Sequence, residues 1–301
     1  MSSTVNRREA IALGIASLAG TSLLHAEENK VVAKQPICVF TKPFNSLSFD
    51  ELADRIAELG FDGIEAPIRP GGNIEPEKVA DELPRLAEAL AERNLKITVM
   101  TSDINDPDSA LNEKVLSVAS DLGIKRYRMK YFNYDLKRSI EEQLKEWHPK
   151  FVDLAAMNKE LGITAVYQNH AGSKNLGAAL WDLPFVLKGI SPEEIGVAYD
   201  IRHASVEGGM SWPITFQRVL PHLNTVYVKD AKWEGKKAVN VPLGEGIVDP
   251  KFFKMLKAAK FEGPISLHEE YLDHRKPELV EEHLQAIKKD FEILNNWLSN
   301  A

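Results

Sequence analysis

Cysteine is nearly absent: Cys38 is the one thiol in 301 residues. It cannot close an intrachain disulfide or supply a zinc site of several thiolates, so both scaffolds are excluded. Long basic runs are absent too, and 37 Lys plus Arg against 44 Asp plus Glu leave a net charge of −7. A nucleic-acid footprint or an anionic-membrane patch needs the opposite balance. No glycine-rich phosphate loop follows the first β-rich run, where Thr41-Lys42-Pro43-Phe44 stands instead, and this weakens a nucleotide-binding Rossmann reading. No low-complexity linker divides the chain into domains. Against these absences, 44% hydrophobic and 27% charged residues suffice to fill and solvate a real core.

The one long apolar run, Ala10 to Leu24, is interrupted by Gly14, Ser17, Gly20, Thr21 and Ser22 and preceded by Arg7-Arg8. It is too short for a comfortable bilayer span. Paired arginines before a weakly apolar stretch mark residues 1–26 as a signal peptide of the twin-arginine type, cut after Ala26. Residues 27–301 are then one exported domain, periplasmic or extracellular, with no stable membrane span after processing. A lone thiol suits such an oxidising destination.

The remainder alternates short β-rich runs with amphipathic helical patterns. The candidate strands are Ile37–Phe40, Gly63–Ile68, Lys96–Thr101, Arg126–Lys130, Thr164–His170, Gly196–Asp200, Thr225–Lys229 and Ile265–Glu270. Helical patterns cover Phe49–Leu59, Glu77–Arg93, Ala110–Leu122, Ile140–Leu161, Pro250–Lys260 and Glu278–Leu298. Leu52, Ile56 and Leu59 share one helical face. Gly60, Gly123, Gly162 and Gly189 each precede a strand, where a left-handed cap is expected. Regular βα alternation predicts a parallel sheet, and its repeat number and length fit a single-domain α/β fold, a (β/α)8 TIM barrel. Gly235–Gly246 reads as the loop after the seventh strand.

In such a barrel, chemistry gathers at the carboxyl ends of the strands, and residues two apart share a face. Glu65 and Arg69 share parity at the second strand, and Arg128 and Lys130 at the fourth. Gln168 and His170 do so at the fifth, Tyr227 and Lys229 at the seventh, and Ser266, His268 and Glu270 at the eighth. The sixth runs into Asp200-Ile-Arg202-His203. His170, His203 and His268 at adjacent strand ends, with Asp200 between them, form a candidate site. His148, His222, His274 and His283 read as surface residues of helices or loops. Glu269 reads as solvent-facing or outer wall, Lys229-Asp230 as an ion pair at the mouth, and Arg69 equally as a holder of the Pro70-Gly71-Gly72 loop.

The segments Gly60-Phe-Asp-Gly-Ile-Glu65, Gln168-Asn-His170, Asp200-Ile-Arg-His203, Tyr227-Val-Lys-Asp230 and Gly263-Pro-Ile-Ser-Leu-His268, in this order, resemble the xylose isomerase-like barrels. That superfamily contains sugar (phosphate) isomerases and epimerases. The resemblance implies a divalent metal (Mn, Co, Mg or Zn) held by Glu, Asp, His and Glu from the last four strands, two of those carboxylates also moving protons. Laid onto this chain, the positions fall on Gln168, Asp200, Tyr227 and His268, so only Asp200 keeps its type. Gln168 offers a neutral carbonyl oxygen, and Tyr227 is a poor ligand unless deprotonated.

These readings predict an exported sugar isomerase or epimerase-like enzyme that transfers a proton next to a carbonyl. His170 or Glu270 is the expected base. Glu65, Arg69, Lys130, Arg202, His203 and Lys229 are expected to bind substrate, and Gln168, Asp200 and His268 to hold a metal. A non-catalytic sugar-binding barrel and a lyase or deglycosidase acting on oxidised glycosides use the same pocket. The expected partner is a small carbohydrate, not a nucleic acid, and assembly into a homo-oligomer is left open.

Overall fold

The computed structural model describes residues 35–301. The Arg7-Arg8 segment and the expected cut after Ala26 lie outside the described residues. The strands β1 (Ile37–Phe40), β2 (Gly63–Pro67), β3 (Ile97–Thr101), β4 (Arg126–Arg128), β5 (Thr164–Gln168), β6 (Ile195–Asp200), β7 (Leu223–Val228), β8 (Asp230–Glu234), β9 (Lys237–Val241) and β10 (Ile265–Leu267) follow in order. Eight of them close a barrel in the order β1-β10-β7-β6-β5-β4-β3-β2. Its pairings are parallel throughout. This is the (β/α)8 barrel that the alternation predicts.

Strand periodicity sorts the side chains into two separate populations. Ile37, Val39, Ile64, Ala66, Tyr127, Tyr167, Tyr199, Val226, Val228, Ile265 and Leu267 point outward and merge with the helices in one continuous core. Val99, Val166, Ala198 and Tyr227 form their own small cluster inside the barrel. A barrel interior filled by side chains is a packed layer, not a pore. The same inward parity, one step nearer the carboxyl ends, carries Glu65, Thr101, Arg128, Gln168 and Asp200, and these are buried and polar.

The surrounding helices include α1 (Phe49–Leu59), α2 (Val79–Ala91), α3 (Ala110–Asp121), α4 (Ile140–Leu161) and the short α5 (Leu183–Val186). They continue with α6 (Ile201–Gly208), α7 (Trp212–Val219), α8 (Lys251–Ala258) and α9 (Val280–Ser299). α1 begins at a capping box between Ser48 and Glu51, buries Leu52, Ala53 and Ile56, and stops at Gly60 with φ of 83°. A left-handed backbone there costs a glycine least.

Several expectations change. Ile201 to His203 do not extend the sixth strand, because Asp200 caps α6 and its carboxylate accepts the His203 N–H at 3.0 Å. A carboxylate at that position satisfies an otherwise orphaned first-turn donor, so the chain turns helical there. The expected loop after β7 contains an antiparallel hairpin, β8–β9, turning at Gly235 with φ of 62°. His283 is not on the surface. It is fully buried on α9 and bonded to Glu269, whose outward parity places it between the barrel and that helix rather than in solvent. Glu269 also accepts the N–H groups of Tyr271 and Leu272.

Asp230 does not pair with Lys229. Its carboxylate accepts the backbone N–H groups of Ala231, Gly244, Gly246 and Val248 at 2.8–3.0 Å, clasping the segment after the hairpin. Gly246 is required for that approach, since a Cβ there would lie 2.2 Å from the Ala231 carbonyl oxygen and 2.3 Å from Asp230 Oδ1. Gly246→Ala is therefore expected to loosen the clasp and cost about 1–3 kcal/mol, the usual range for an overpacked site. Urea unfolding measures this, and an unchanged midpoint would remove the clasp from the account.

Candidate functional site

Beneath the mouth lies a fixed anion. Glu65 is fully buried and bonded to Thr101, to Ser266 Oγ at 2.7 Å and to His268 Nε2 at 2.8 Å. Burial pushes its carboxyl up, but the His268 charge and hydrogen bond, Arg128 and Ser266 outweigh this and hold it at about 2. Its acceptors are committed to the protein, so it is a structural ion under the site rather than the expected substrate-binding group. Tyr227, whose ring lies 4.6 Å from that of His268, keeps a buried hydroxyl without a protein partner. Burial and then the Glu65 charge raise that phenol well above the ordinary tyrosine value.

Above Glu65 is a charged centre built from three neighbouring strands. Lys229 Nζ lies 2.7 Å from Glu270 Oε2 and 3.3 Å from Asp200 Oδ2. Burial works against the ammonium, but the two carboxylates raise its pKa, and Lys229 in turn keeps Glu270 well below the carboxylate range despite burial. Asp200 is held from the other side by Gln168 Nε2 at 2.7 Å, while its backbone exchanges hydrogen bonds with the Asn169 side chain. Gln168 Oε1 accepts from Arg128 Nη1 at 2.7 Å and from the Tyr131 hydroxyl.

Two imidazoles close one side, with ring centroids 4.0 Å apart. Nδ1 of His170 lies 2.8 Å from the Ala171 carbonyl oxygen, which can only accept. That contact, shorter than the 3.3 Å approach of the Asn175 amide nitrogen to the same atom, favours the proton on Nδ1 and the lone pair on Nε2. For His203 the order is reversed. Arg202 Nη1, which can only donate, reaches its Nδ1 at 3.0 Å, so Nε2 carries the proton, 3.5 Å from Asp200 Oδ2. Burial and then Lys229 lower both pKa values, that of His203 the further, and keep both rings neutral near pH 7.

The other expected residues are more scattered. Arg202 is buried on α6, bonded to His203 and to the Ala238 carbonyl of the hairpin, so it positions rather than binds. Lys130 lies beyond the end of β4 and is exposed, because the strand stops at Arg128 and parity no longer applies. Arg69 lies at the rim with Lys42, which is 3.9 Å from Glu270 Oε1. Arg128 takes the inward position expected of Lys130, and its sequence signal was the shared parity. Tyr131 follows its strand in irregular backbone and Lys42 in a single 3-10 turn, where strand periodicity marks neither.

Gln168, Asp200 and His268 do not fit the divalent cation that the resemblance implies. The Gln168 oxygen accepts from a guanidinium and a phenol, Asp200 Oδ2 from Gln168 and an ammonium, and His268 Nε2 is turned to Glu65. Among the described residues, no group of three or more His, Cys, Asp or Glu could hold a metal ion. The cation at the centre of this arrangement is the Lys229 ammonium.

The family model for xylose isomerase-like TIM barrels matches residues 53–290. No curated protein sequence matches the chain. Among solved structures, a D-tagatose 3-epimerase-like protein superposes with a TM-score of 0.69 at 17% identity, covering 88% of this chain and 97% of that one. An L-ribulose 3-epimerase gives 0.69 at 14% identity, covering 88% and 95%. A 3-keto-D-glucoside 4-epimerase from E. coli gives 0.65 at 17% identity, covering 89% and 100%. At these identities the likeness is one of fold. With most of its length matched by the family model and its barrel closed in the same manner, the chain belongs to the xylose isomerase-like TIM barrel family.

Proposed function

We propose that the protein is a carbohydrate isomerase or epimerase-like enzyme that moves a proton on a carbon next to a carbonyl. The observation that carries this reading is the pairing of a neutral imidazole with a buried cation at the barrel mouth. His170 Nε2 has its lone pair available, and Lys229 is fixed as an ammonium beside it. That the structural neighbours include sugar epimerases supports a sugar as the substrate class.

In this reading His170 accepts the proton through Nε2. Negative charge then develops on the carbonyl oxygen, and Lys229 and Arg128 are the groups to receive it. Preorganised donors in a buried site stabilise such charge more than water does. Glu270 and Asp200 hold the ammonium in place, and Gln168 spans Asp200 and Arg128. The His170 imidazolium formed in this step returns the proton to the neighbouring carbon or oxygen of the substrate, and neutral His203 offers its Nε2–H as a hydrogen-bond donor only. No step runs through a metal, because the donor set is already engaged by cations of the protein.

His170→Gln is expected to lower kcat by about 10²–10⁴-fold, the usual contribution of a positioned base, with a smaller change in KM. The acid limb of kcat/KM should lie below pH 6.5, the ordinary histidine value, because the base must be neutral and its pKa is lowered. A limb above pH 6.5 that His170→Gln leaves unmoved would assign the base elsewhere. Dialysis against a chelator should leave turnover unchanged, with no stoichiometric heat on adding Mn²⁺. Activity lost on chelation and restored by the metal contradicts the ammonium-centred reading.

Export is proposed on Arg7-Arg8 and the weak apolar run behind them. Replacing both arginines by Lys should retain the protein in the cytoplasm with its N-terminus intact, as fractionation and N-terminal sequencing show. Unaltered export and processing of that variant rule out the twin-arginine route.

A further inference from the structure

Beside the charged centre, a cavity of about 240 Å³ opens on the β1–β3 side of the mouth, lined by Lys42, Asn45, Pro67, Arg69, Pro70, Gly71, Gly72, Asp103 and His274. Arg69 is half-buried, yet its guanidinium makes no hydrogen bond or ion pair with another described residue. It does not hold its own loop. Asn45 donates to the Gly71 carbonyl at 2.9 Å, Asn73 to Asn45 at 2.8 Å, Thr41 to Asn73 at 2.7 Å, and Glu75 accepts the Gly71 N–H at 2.9 Å. The loop is fastened by these contacts, and the arginine is left for another purpose.

Lys42 stands at the junction of cavity and centre. Among the described residues, its one carboxylate neighbour within ion-pair range is Glu270 at 3.9 Å, and Glu270 is already bonded to Lys229 at 2.7 Å. Asp103 is exposed and lies within ion-pair distance of neither cation. Burial lowers the pKa of both: at Lys42 Glu270 opposes it while Arg69, Lys229 and Arg128 add to it, and at Arg69 Arg128 adds to it while Asp103, Tyr131 and Glu65 oppose. Burial and Lys42 likewise lower that of His274, which makes it a neutral hydrogen-bonding group at neutral pH. Two crowded cations with little compensating charge, one of them a planar fork of donors, form a receptor for an oxyanion.

We propose that Arg69 and Lys42 bind a carboxylate of the substrate, so that the sugar handled here is a sugar acid or keto-acid rather than a neutral hexose. This rests on the proposed function in one respect: the carbon chain extends from the cavity past Lys42 to the Lys229 centre. The small volume suits a carboxylate with one or two attached carbons, leaving the reacting carbons over His170.

Calorimetry on the full chain at about 0.15 M salt, where exposed charges are screened, tests this. D-glucuronate, D-galacturonate and D-gluconate are compared with D-glucose and D-galactose. At least one acid should bind about tenfold or more tightly than its neutral counterpart, as a charge-assisted hydrogen-bonded pair implies. Arg69→Gln should erase that preference, and Lys42→Gln should do so independently; Arg69 has no side-chain contact whose loss would unfold the protein. Equal binding of acids and neutral sugars, no binding of any acid, or a preference surviving both substitutions overturns the proposal. Inorganic phosphate binding more tightly than every acid overturns the carboxylate assignment. Proton exchange on a neutral keto-sugar without acid preference overturns this inference alone, whereas acid binding without any proton exchange upholds it and removes the proposed reaction.

Discussion

The Lys229 ammonium between Asp200 and Glu270 is the interaction on which the mouth of the barrel depends. Asp200 and Glu270 lie 3.3 and 2.7 Å from it, so without it two carboxylates would face one point with no cation between them. The ammonium holds the Glu270 pKa down and is itself kept charged by both carboxylates. Removing one partner of such a buried pair typically costs about 3–5 kcal/mol, because the remaining charge is left unpaired. The same charge reaches the histidines: after burial, Lys229 is the leading influence lowering the pKa of His170 and of His203. One side chain therefore shifts the titration of Glu270 and of both imidazoles.

That arrangement needs a frame that holds three strands in fixed register. Asp200 lies opposite Tyr227, and Tyr227 opposite Ser266, so the inward positions of β6, β7 and β10 follow one another around the barrel. The outward positions are apolar and join the helices, so the polar interior is not compensated by anything beyond the barrel wall. It satisfies itself. Glu65 takes Thr101, Ser266 and His268, while Gln168 takes Arg128 and supports Asp200. A low-dielectric interior strengthens such a network when complete and penalises every gap in it. Among the buried atoms with no partner in the described residues, Tyr227 Oη, His268 Nδ1 and His203 Nε2 are the gaps left in this interior.

Outside the strands, fixed loops rather than periodic structure place the functional groups. Asp200 carries two tasks: it belongs to the charged centre, and it caps α6, which brings His203 back over it. The Asp230 clasp holds the segment following the hairpin, and the Asn45–Asn73 bonds hold the rim where Arg69 stands. Carboxylates and amides thus anchor backbone, while the cations they might have neutralised remain at the mouth.

The barrel was legible in the sequence because its signal is local. Alternating runs such as Ile37–Phe40 and Ile265–Leu267, and glycines such as Gly60 at helix ends, report backbone preference and burial that each segment carries by itself. Inward parity likewise placed Glu65, Gln168, Asp200, Lys229 and His268 within the barrel mouth, since the period of a strand is a property of the chain. It failed where the strand ended. Lys130 turned to solvent, Arg202 and His203 became helical, Tyr131 entered the site from irregular backbone and Lys42 from a 3-10 turn. Partnership was decided only by tertiary structure: Lys229 with Asp200 and Glu270 rather than Asp230, His268 with Glu65 rather than a metal, and His283 with Glu269 in the core. Coulomb energy depends on distance and burial, and a linear sequence contains neither until the barrel closes.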